Sequence, residues 1–289
     1  MAIATRSRMW GVLFVLLSLV WTVTPLYWIV RLAFETQSEV SHFPPLFFPP
    51  HPQPGAFLNI LGFNYTTATG IFLPASGQAS QIILGLRNSL ILAALVTIAT
   101  MIVVVPLAYV FARLDFAYKG KLLGAILLAV SLPPVSTLIP FYALYVRLNL
   151  VGTLTGLFIV TLTITIPLIT WMLMGFLKNL PPVENLGRVD GFSRAYIFLR
   201  IVVPMGKSGI VVAAMIAFLF SWNEYVYAQI LVTGSNAVTL PAAMTGFLFQ
   251  VPQPAHLAAS LTLTLIPPFV LVFFLQRHIT ELNLVDPIR

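Results

Sequence analysis

The chain has 289 residues, of which 59% are hydrophobic and 8% charged, with a mean hydropathy of +0.97. Soluble globular domains carry about 25% charged residues, so this composition excludes a water-soluble globule and requires an integral membrane protein. The net charge of +7 comes from singly scattered bases and not from a basic patch interleaved with aromatics, which excludes a nucleic-acid partner, and the absence of cysteine excludes disulfides and thiolate metal ligands.

Arg6 and Arg8 precede an apolar run over 9–30, long enough at roughly 20 residues to cross a bilayer. It exceeds the core of a signal peptide, about 7 to 15 residues, and no small-residue cleavage site follows, so it reads as a retained helix. Residues 31–87 then turn loop-like, with Pro44, Pro45, Pro49, Pro50, Pro52 and Pro54 close together. Proline at that density excludes helix and sheet interiors, which predicts an exposed loop with local structure of its own.

Further spans are predicted over 88–112, 122–146, 153–176, 208–232 and 257–276, making six. Pro106, Pro133, Pro134, Pro140, Pro167, Pro267 and Pro268 fall inside them. Lipid cannot replace the backbone hydrogen bonds that proline removes, so those turns are expected to face protein or a water-lined cavity. The expected fold class is all-α: one polytopic membrane domain over 1–289, with no internal repeat.

An amino terminus inside puts Arg6, Arg8, Arg113, Lys119, Lys121, Lys178, Arg188, Arg194, Arg200, Lys207, Arg277 and Arg289 on the cytoplasmic side, leaving Arg31, Arg87 and Arg147 outside. That asymmetry predicts both termini in the cytoplasm, external loops at 31–87 and 233–256, and a cytoplasmic loop at 179–207.

Glu224, in the run FSWNEYVY, is the one acidic residue within a predicted span. A carboxylate in hydrocarbon is a functional candidate by default. Two readings stand: Asn223, Glu224 and Tyr225 line the substrate path, or Glu224 hydrogen-bonds a neighbouring helix near an interfacial belt of Trp222, Tyr225 and Tyr227. Enzymatic chemistry lacks support, because Asp115, Glu184, Asp190 and Glu281 fall in separate segments and no G-x-S-x-G, H-E-x-x-H or Walker motif occurs. His42, His51, His256 and His278 share no ligand spacing, so no metal site is expected. ATP, if used, must be bound by another chain. An ion-coupled secondary transporter is the alternative; it calls for several buried ionisable groups or matched unwound helices.

The polar interlude begins after Pro181 and Pro182. Val183, Leu186 and Val189 recur at three-residue spacing on one face of a short helix, with Glu184 and Arg188 on another. Gly191 permits a positive φ or a close backbone approach, and Tyr196, Leu199 and Val203 share a face of the next segment. A compact two-helix knob and a surface helix along the membrane both fit this pattern.

Glu184, Asn185 and Leu186, followed by Asp190, Gly191 and then Ile201 to Pro204, resemble the EAA loop of ABC importer permeases, with Asn185 and Leu186 where that pattern has alanines. NSL at 88–90, AYVFARLDF at 108–116, IPFYALYVRLNLVGT at 139–153, SWNEYVYA at 221–228, TLP at 239–241 and FFLQRHI at 273–279 fall in the order seen in carbohydrate-importing permeases of the maltose type. From Asn88 on, and in the first helix, the chain resembles the six-span partner of such a pair.

The resemblance implies a permease subunit with a second permease subunit, an ATPase dimer that binds ATP and Mg, an extracytoplasmic solute-binding protein, and a sugar or polyol as solute. It implies no cofactor on this chain. By position it carries a coupling role to Glu184, Asn185, Leu186, Gly187, Asp190, Gly191 and Pro204. Glu184 would meet a basic group of the ATPase, Asp190 would brace the following turn, and Gly191 would allow the bend. Gly234, Ser235, Asn236, Thr239 and Pro241, in the second external loop, would contact the binding protein. The tail ELNLVDPIR, from 281 to 289, departs from the Gly- and Ala-rich tail of the family, and the loop 31–87 is longer and richer in proline than its pattern.

Overall fold

The structure, a computed structural model, describes residues 2–281. The tail ELNLVDPIR, apart from the backbone of Glu281, and the side chains of Arg6 and Arg8 lie outside the described residues. The elements run α1 (Ala2–Ala33), α2 (Gln37–Val40), α3 (Gly55–Ile60), β1 (Tyr65–Thr66), β2 (Phe72–Leu73), α4 (Ala79–Arg113), α5 (Lys119–Ser131), α6 (Pro134–Arg147), α7 (Leu154–Lys178) and α8 (Glu184–Val189). They continue through α9 (Arg194–Ile197), a π-helical segment (Phe198–Val202), α10 (Val203–Met205), α11 (Lys207–Trp222), α12 (Val226–Leu231), α13 (Leu240–Met244), α14 (Gly246–Phe249) and α15 (Pro254–Glu281). The fold is all-α apart from one two-stranded hairpin, in which Tyr65 pairs with Leu73 and Thr66 with Phe72.

Among the described residues, five stretches are long and apolar enough to cross a membrane: Trp10–Ala33, Ala79–Arg113, Leu154–Lys178, Lys207–Leu231 and Pro254–Arg277. The span predicted over 122–146 is two helices, α5 and α6, because Leu132 and Pro133 are extended, with ψ of 122° and 133°. A residue before proline is driven out of the α region, and Pro134 then opens the next helix, where its missing N–H costs nothing. The helix that carries the second predicted span starts at Ala79, before the span's expected first residue at 88. Its 35 residues reach about 50 Å at 1.5 Å per residue, well beyond a hydrocarbon core of about 30 Å, so its polar first turns lie outside the lipid. Of the prolines expected to face protein, Pro167, Pro267 and Pro268 are half-buried, whereas Pro106 and Pro140 are exposed on this chain.

Two compact units divide the chain, residues 1–83 with 244–266, and residues 84–243 with 267–289. In the first unit, Arg31 at the end of α1 pairs with Glu35; both are buried, and the guanidinium lies 4.6 Å from the Trp28 ring. Burial raises the Glu35 carboxyl above its usual range, against the nearby Arg31 charge. Thr36 and Glu39 form a capping box on α2. Glu39 also reaches His51, whose backbone N–H and ring Nδ1 both stand 3.1 Å from Oε1, so the proline-rich stretch is tied down at both ends.

The second unit holds the larger core. One face of α7 buries Leu157, Thr161, Thr165, Ile169, Leu173 and Leu177, a strict four-residue ridge of the kind that packs into a neighbouring helix's groove. It packs on α11 and α5. Thr100 of α4 and Thr165 of α7 share a buried hydrogen bond of 3.0 Å, the polar link that joins helices where lipid offers no partner. Asn88 donates from Nδ2 to the carbonyls of Asn236 and Val238, each at 2.9 Å, and Ser89 Oγ accepts from the Leu240 N–H at 2.9 Å. The NSL stretch is therefore the clasp that holds residues 236–240 on α4.

Candidate functional site

The loop 179–207 is built on α7 and returns into α11. Asn179 and Leu180 N–H groups bond back to Phe176 and Leu177 carbonyls, and Pro181 and Pro182 then forbid continuation. Within α8, Leu186 is 69% exposed and Val189 86%. The three-residue spacing thus marks an apolar face turned outward, with Val183 alone half-buried at its start.

Gly187 is where the two arms of the loop meet. A Cβ there would stand 2.9 Å from Cγ1 and 3.0 Å from Cδ1 of Ile197, which is 1% exposed. Gly191 has φ of +80° and nothing within 4 Å of a Cβ, so of the two reasons for glycine the positive φ is the one that applies. Asp190 ends α8 with an exposed side chain. The turn expected to rest on it is capped by Ser193, whose Oγ accepts from the Tyr196 N–H at 3.2 Å.

Pro204 sits in α10, exposed, just after the π-helical segment. Proline offers no N–H and crowds the carbonyl four residues back; the preceding turn widens, and the Val203 N–H bonds Phe198 O. One extra residue per turn shifts the register. Tyr196 and Leu199 are both exposed, while Ile197 and Val202 are buried and Val203 is half-buried. Ile197 and Val202 join a core cluster with Val104, Ala108 and Tyr109 of α4, Leu173 and Leu177 of α7, and Ala213 and Ala217 of α11. Outside that core, Leu186, Val189, Phe192 and Tyr196 remain exposed, the last two stacked at 4.7 Å, amid the exposed Arg188, Arg194 and Arg200.

Glu184 does not pair with Arg188. Its Oε1 lies 3.5 Å from Nε of Arg113, the last residue of α4, and Nη2 of Arg113 donates to the carbonyls of Leu180 at 2.6 Å and Pro181 at 3.1 Å. The side chains are 9% and 20% exposed. Sequence reasoning counted Arg113 only as a topology charge; nothing in its spacing to Glu184 signals the contact. Asn185 is exposed.

Asn223, Glu224 and Tyr225 form the break between α11 and α12. Glu224 is 8% exposed and its Oε1 accepts from the Tyr227 N–H at 2.7 Å, while Asn223 Nδ2 donates to Leu219 O at 2.9 Å. All three line a cleft of about 430 Å³ with Ile164, Ile216 and Phe220. Trp222 and Tyr227 are buried, at 1% and 2%, so they are no interfacial belt. Non-helical backbone at membrane depth is tolerated where it borders protein or a cavity, and both conditions hold here.

In the segment 233–256, Gly234 and Asn236 are exposed, Ser235 and Pro241 half-buried, and Thr239 buried at 1%. Thr239 therefore has no surface to offer a partner. Sequence reasoning missed Leu248, Phe249 and Val251, which are 50%, 78% and 50% exposed at the end of α14. In the first unit a cavity of about 770 Å³ is lined by amide and hydroxyl groups, Gln37, Gln53, Asn59, Ser76 and Gln253 among them, together with Glu35, His256 and apolar residues such as Leu73 and Val251. Among the described residues no group of three or more His, Asp or Glu is placed to hold a metal ion.

The family model for the binding-protein-dependent transport system inner membrane component matches residues 91–281. The trehalose transport system permease protein SugB of Mycobacterium tuberculosis is 31% identical over 199 residues, covering 67% of this chain and 72% of that one. The sulfoquinovosyl glycerol transport system permease protein SmoH of Agrobacterium fabrum is 27% identical over 260 residues, covering 89% and 85%. A crystal structure of a bacterial ABC transporter involved in import of the acidic polysaccharide alginate contains a similar chain, with a TM-score of 0.73 at 14% identity, covering 94% of this chain and 97% of that one.

Proposed function

The chain belongs to the family of binding-protein-dependent transport system inner membrane components, and on that premise we propose that it is half of the translocation pathway of an ATP-driven importer for a carbohydrate or polyol. The observation that carries the proposal is the loop 179–207. It is braced internally through Gly187 and Ile197, yet presents Leu186, Val189, Phe192 and Tyr196 to a partner. An exposed cluster of large apolar groups on a polar loop marks a protein contact.

In this reading the occupant is an ATPase dimer that carries ATP and Mg, while this chain binds no nucleotide. Closure of the dimer displaces the loop, and the packed spans follow as a rigid body between inward-open and outward-open states. Glu184 serves docking through Arg113, which already neutralises it, and Asn185 and Leu186 form the contacting first turn. A second permease subunit completes the pathway, with Asn223, Glu224 and Tyr225 lining it. Outside, a solute-binding protein meets Gly234, Ser235, Asn236 and Pro241. Both termini lie in the cytoplasm, as the distribution of Lys and Arg supports.

The solutes for which SugB and SmoH are named, trehalose and sulfoquinovosyl glycerol, support a carbohydrate or glycoside as solute, and the amide and hydroxyl groups among apolar residues in the cavity of the first unit suit a hydroxyl-rich molecule. Reconstitution of the whole complex in liposomes tests the proposal. Labelled sugar should accumulate only with ATP on the ATPase side and binding protein on the other. Uptake driven by an ion gradient with the ATPase omitted would contradict it.

A further inference from the structure

We infer that Arg113, which belongs to the second span and not to the cytoplasmic loop, is the positioning residue that makes loop and span move as one body. The inference rests on the proposed docking role of residues 179–207 and adds to it a named route for the motion.

Three acceptors converge on one guanidinium. Nη2 donates to Leu180 O at 2.6 Å and Pro181 O at 3.1 Å, and Nε faces Glu184 Oε1 at 3.5 Å. The two carbonyls precede Pro181 and Pro182, which have no N–H, so the local backbone supplies no donor of its own there. Arginine supplies it: the planar fork has enough hydrogens for both carbonyls and still presents its charge to the carboxylate. A lysine keeps the charge and loses the fork.

One turn earlier on the same face of α4, Tyr109 is 8% exposed and its ring lies 4.8 Å from that of Phe198 in the π-helical segment. Residues four apart on a helix are neighbours. The last turn of α4 therefore grips the first arm of the loop through Arg113 and the second arm through Tyr109. α7 and α11 flank the loop in sequence and must feel any displacement of it. α4 does not flank it, and Arg113 is what adds a third span to the moving body.

The chain has no cysteine, so paired labels are clean. Asp115, whose side chain is 102% exposed, and Arg188, also exposed and outside the apolar docking face, report the distance between the end of α4 and α8. Asp115→Cys with Arg188→Cys, spin-labelled in the complex with cysteine-free partners, should give one narrow distance distribution that is the same with and without ATP. Arg113→Gln should broaden it and make it nucleotide-dependent, while uptake per ATP hydrolysed falls about ten-fold, a loss in the range that residues on a coupling route produce. Arg113→Lys should fall between the two.

An unchanged distribution and an unchanged uptake per ATP in Arg113→Gln would overturn the inference. So would loss of the ATPase from the purified complex with the distribution unaltered, since Arg113 would then be a docking contact. The same distances, read in the permease pair without the ATPase, test Arg113 even if the ATPase docks elsewhere and the docking proposal fails.

Discussion

A Cβ on Gly187 would stand 2.9 Å from Cγ1 of Ile197, so the two arms of the loop 179–207 touch where one of them has no side chain. Ile197 is buried in the core shared by α4, α7 and α11, which leaves it little room to yield. Gly187→Ala should therefore cost about 1–3 kcal/mol of local stability, the usual range for overpacking. Limited proteolysis of the loop in the assembled complex should rise and uptake should fall. Adding Ile197→Ala makes room for the new methyl and should recover part of the protection; if Gly187→Ala alone changes neither readout, the arms are not pinned there.

Glu224 has a structural duty and a position on a cleft, and two substitutions separate them. Glu224→Gln keeps an oxygen for the Tyr227 N–H, whereas Glu224→Ala leaves that buried donor unpaired, a loss of about 1–3 kcal/mol. Both should insert, with Glu224→Ala the less thermostable. If the carboxylate serves the pathway, Glu224→Gln lowers uptake several-fold while ATP hydrolysis stays stimulated by the loaded binding protein. Full uptake in Glu224→Gln would restrict the residue to capping α12.

The proline-rich loop that follows α1 should loosen in acid. Burial on its own would raise the Glu39 carboxyl, but the Thr36 and His51 hydrogen bonds outweigh it and hold the carboxyl below its usual range. A group with a depressed pKa in the ordered state stabilises that state above its ordinary pKa, and the contribution is lost as pH falls through the depressed value. Hydrogen-exchange protection of the His51 amide, corrected for intrinsic rates, should hold at neutral pH and drop below the ordinary carboxylate range. Glu39→Gln should be less protected at neutral pH and nearly flat with pH. Equal protection in the two proteins would show that Glu39 does not anchor the loop.

The membrane class and the loop's glycine were legible because each depends on composition or on one residue's backbone. Gly191 is an example: a residue after a short helix and before a second one needs a left-handed φ, and glycine supplies it. The buried face of the second arm was not legible. Spacing groups Tyr196, Leu199 and Val203 on one face without saying which face is buried, and Ile197 and Val202 are the residues turned inward beside the widened turn before Pro204. Arg113 was hidden for another reason, since its partners lie on a different helix and no local periodicity reports a tertiary contact. Thr239 illustrates the converse: it sits in a motif expected at the surface, and the Asn88 and Ser89 bonds to its neighbours hold that stretch against α4, where Thr239 is buried.

The account stands on the loop 179–207 as the seat of an ATPase, and the direct measurement is ATPase content after purification of a complex carrying Leu186→Glu and Val189→Glu. Both side chains are exposed, at 69% and 86%, and neither is part of the core, so the permease should insert and pair as before. The prediction is a permease pair that purifies without its ATPase and imports nothing. A stoichiometric ATPase with undiminished uptake would contradict the account.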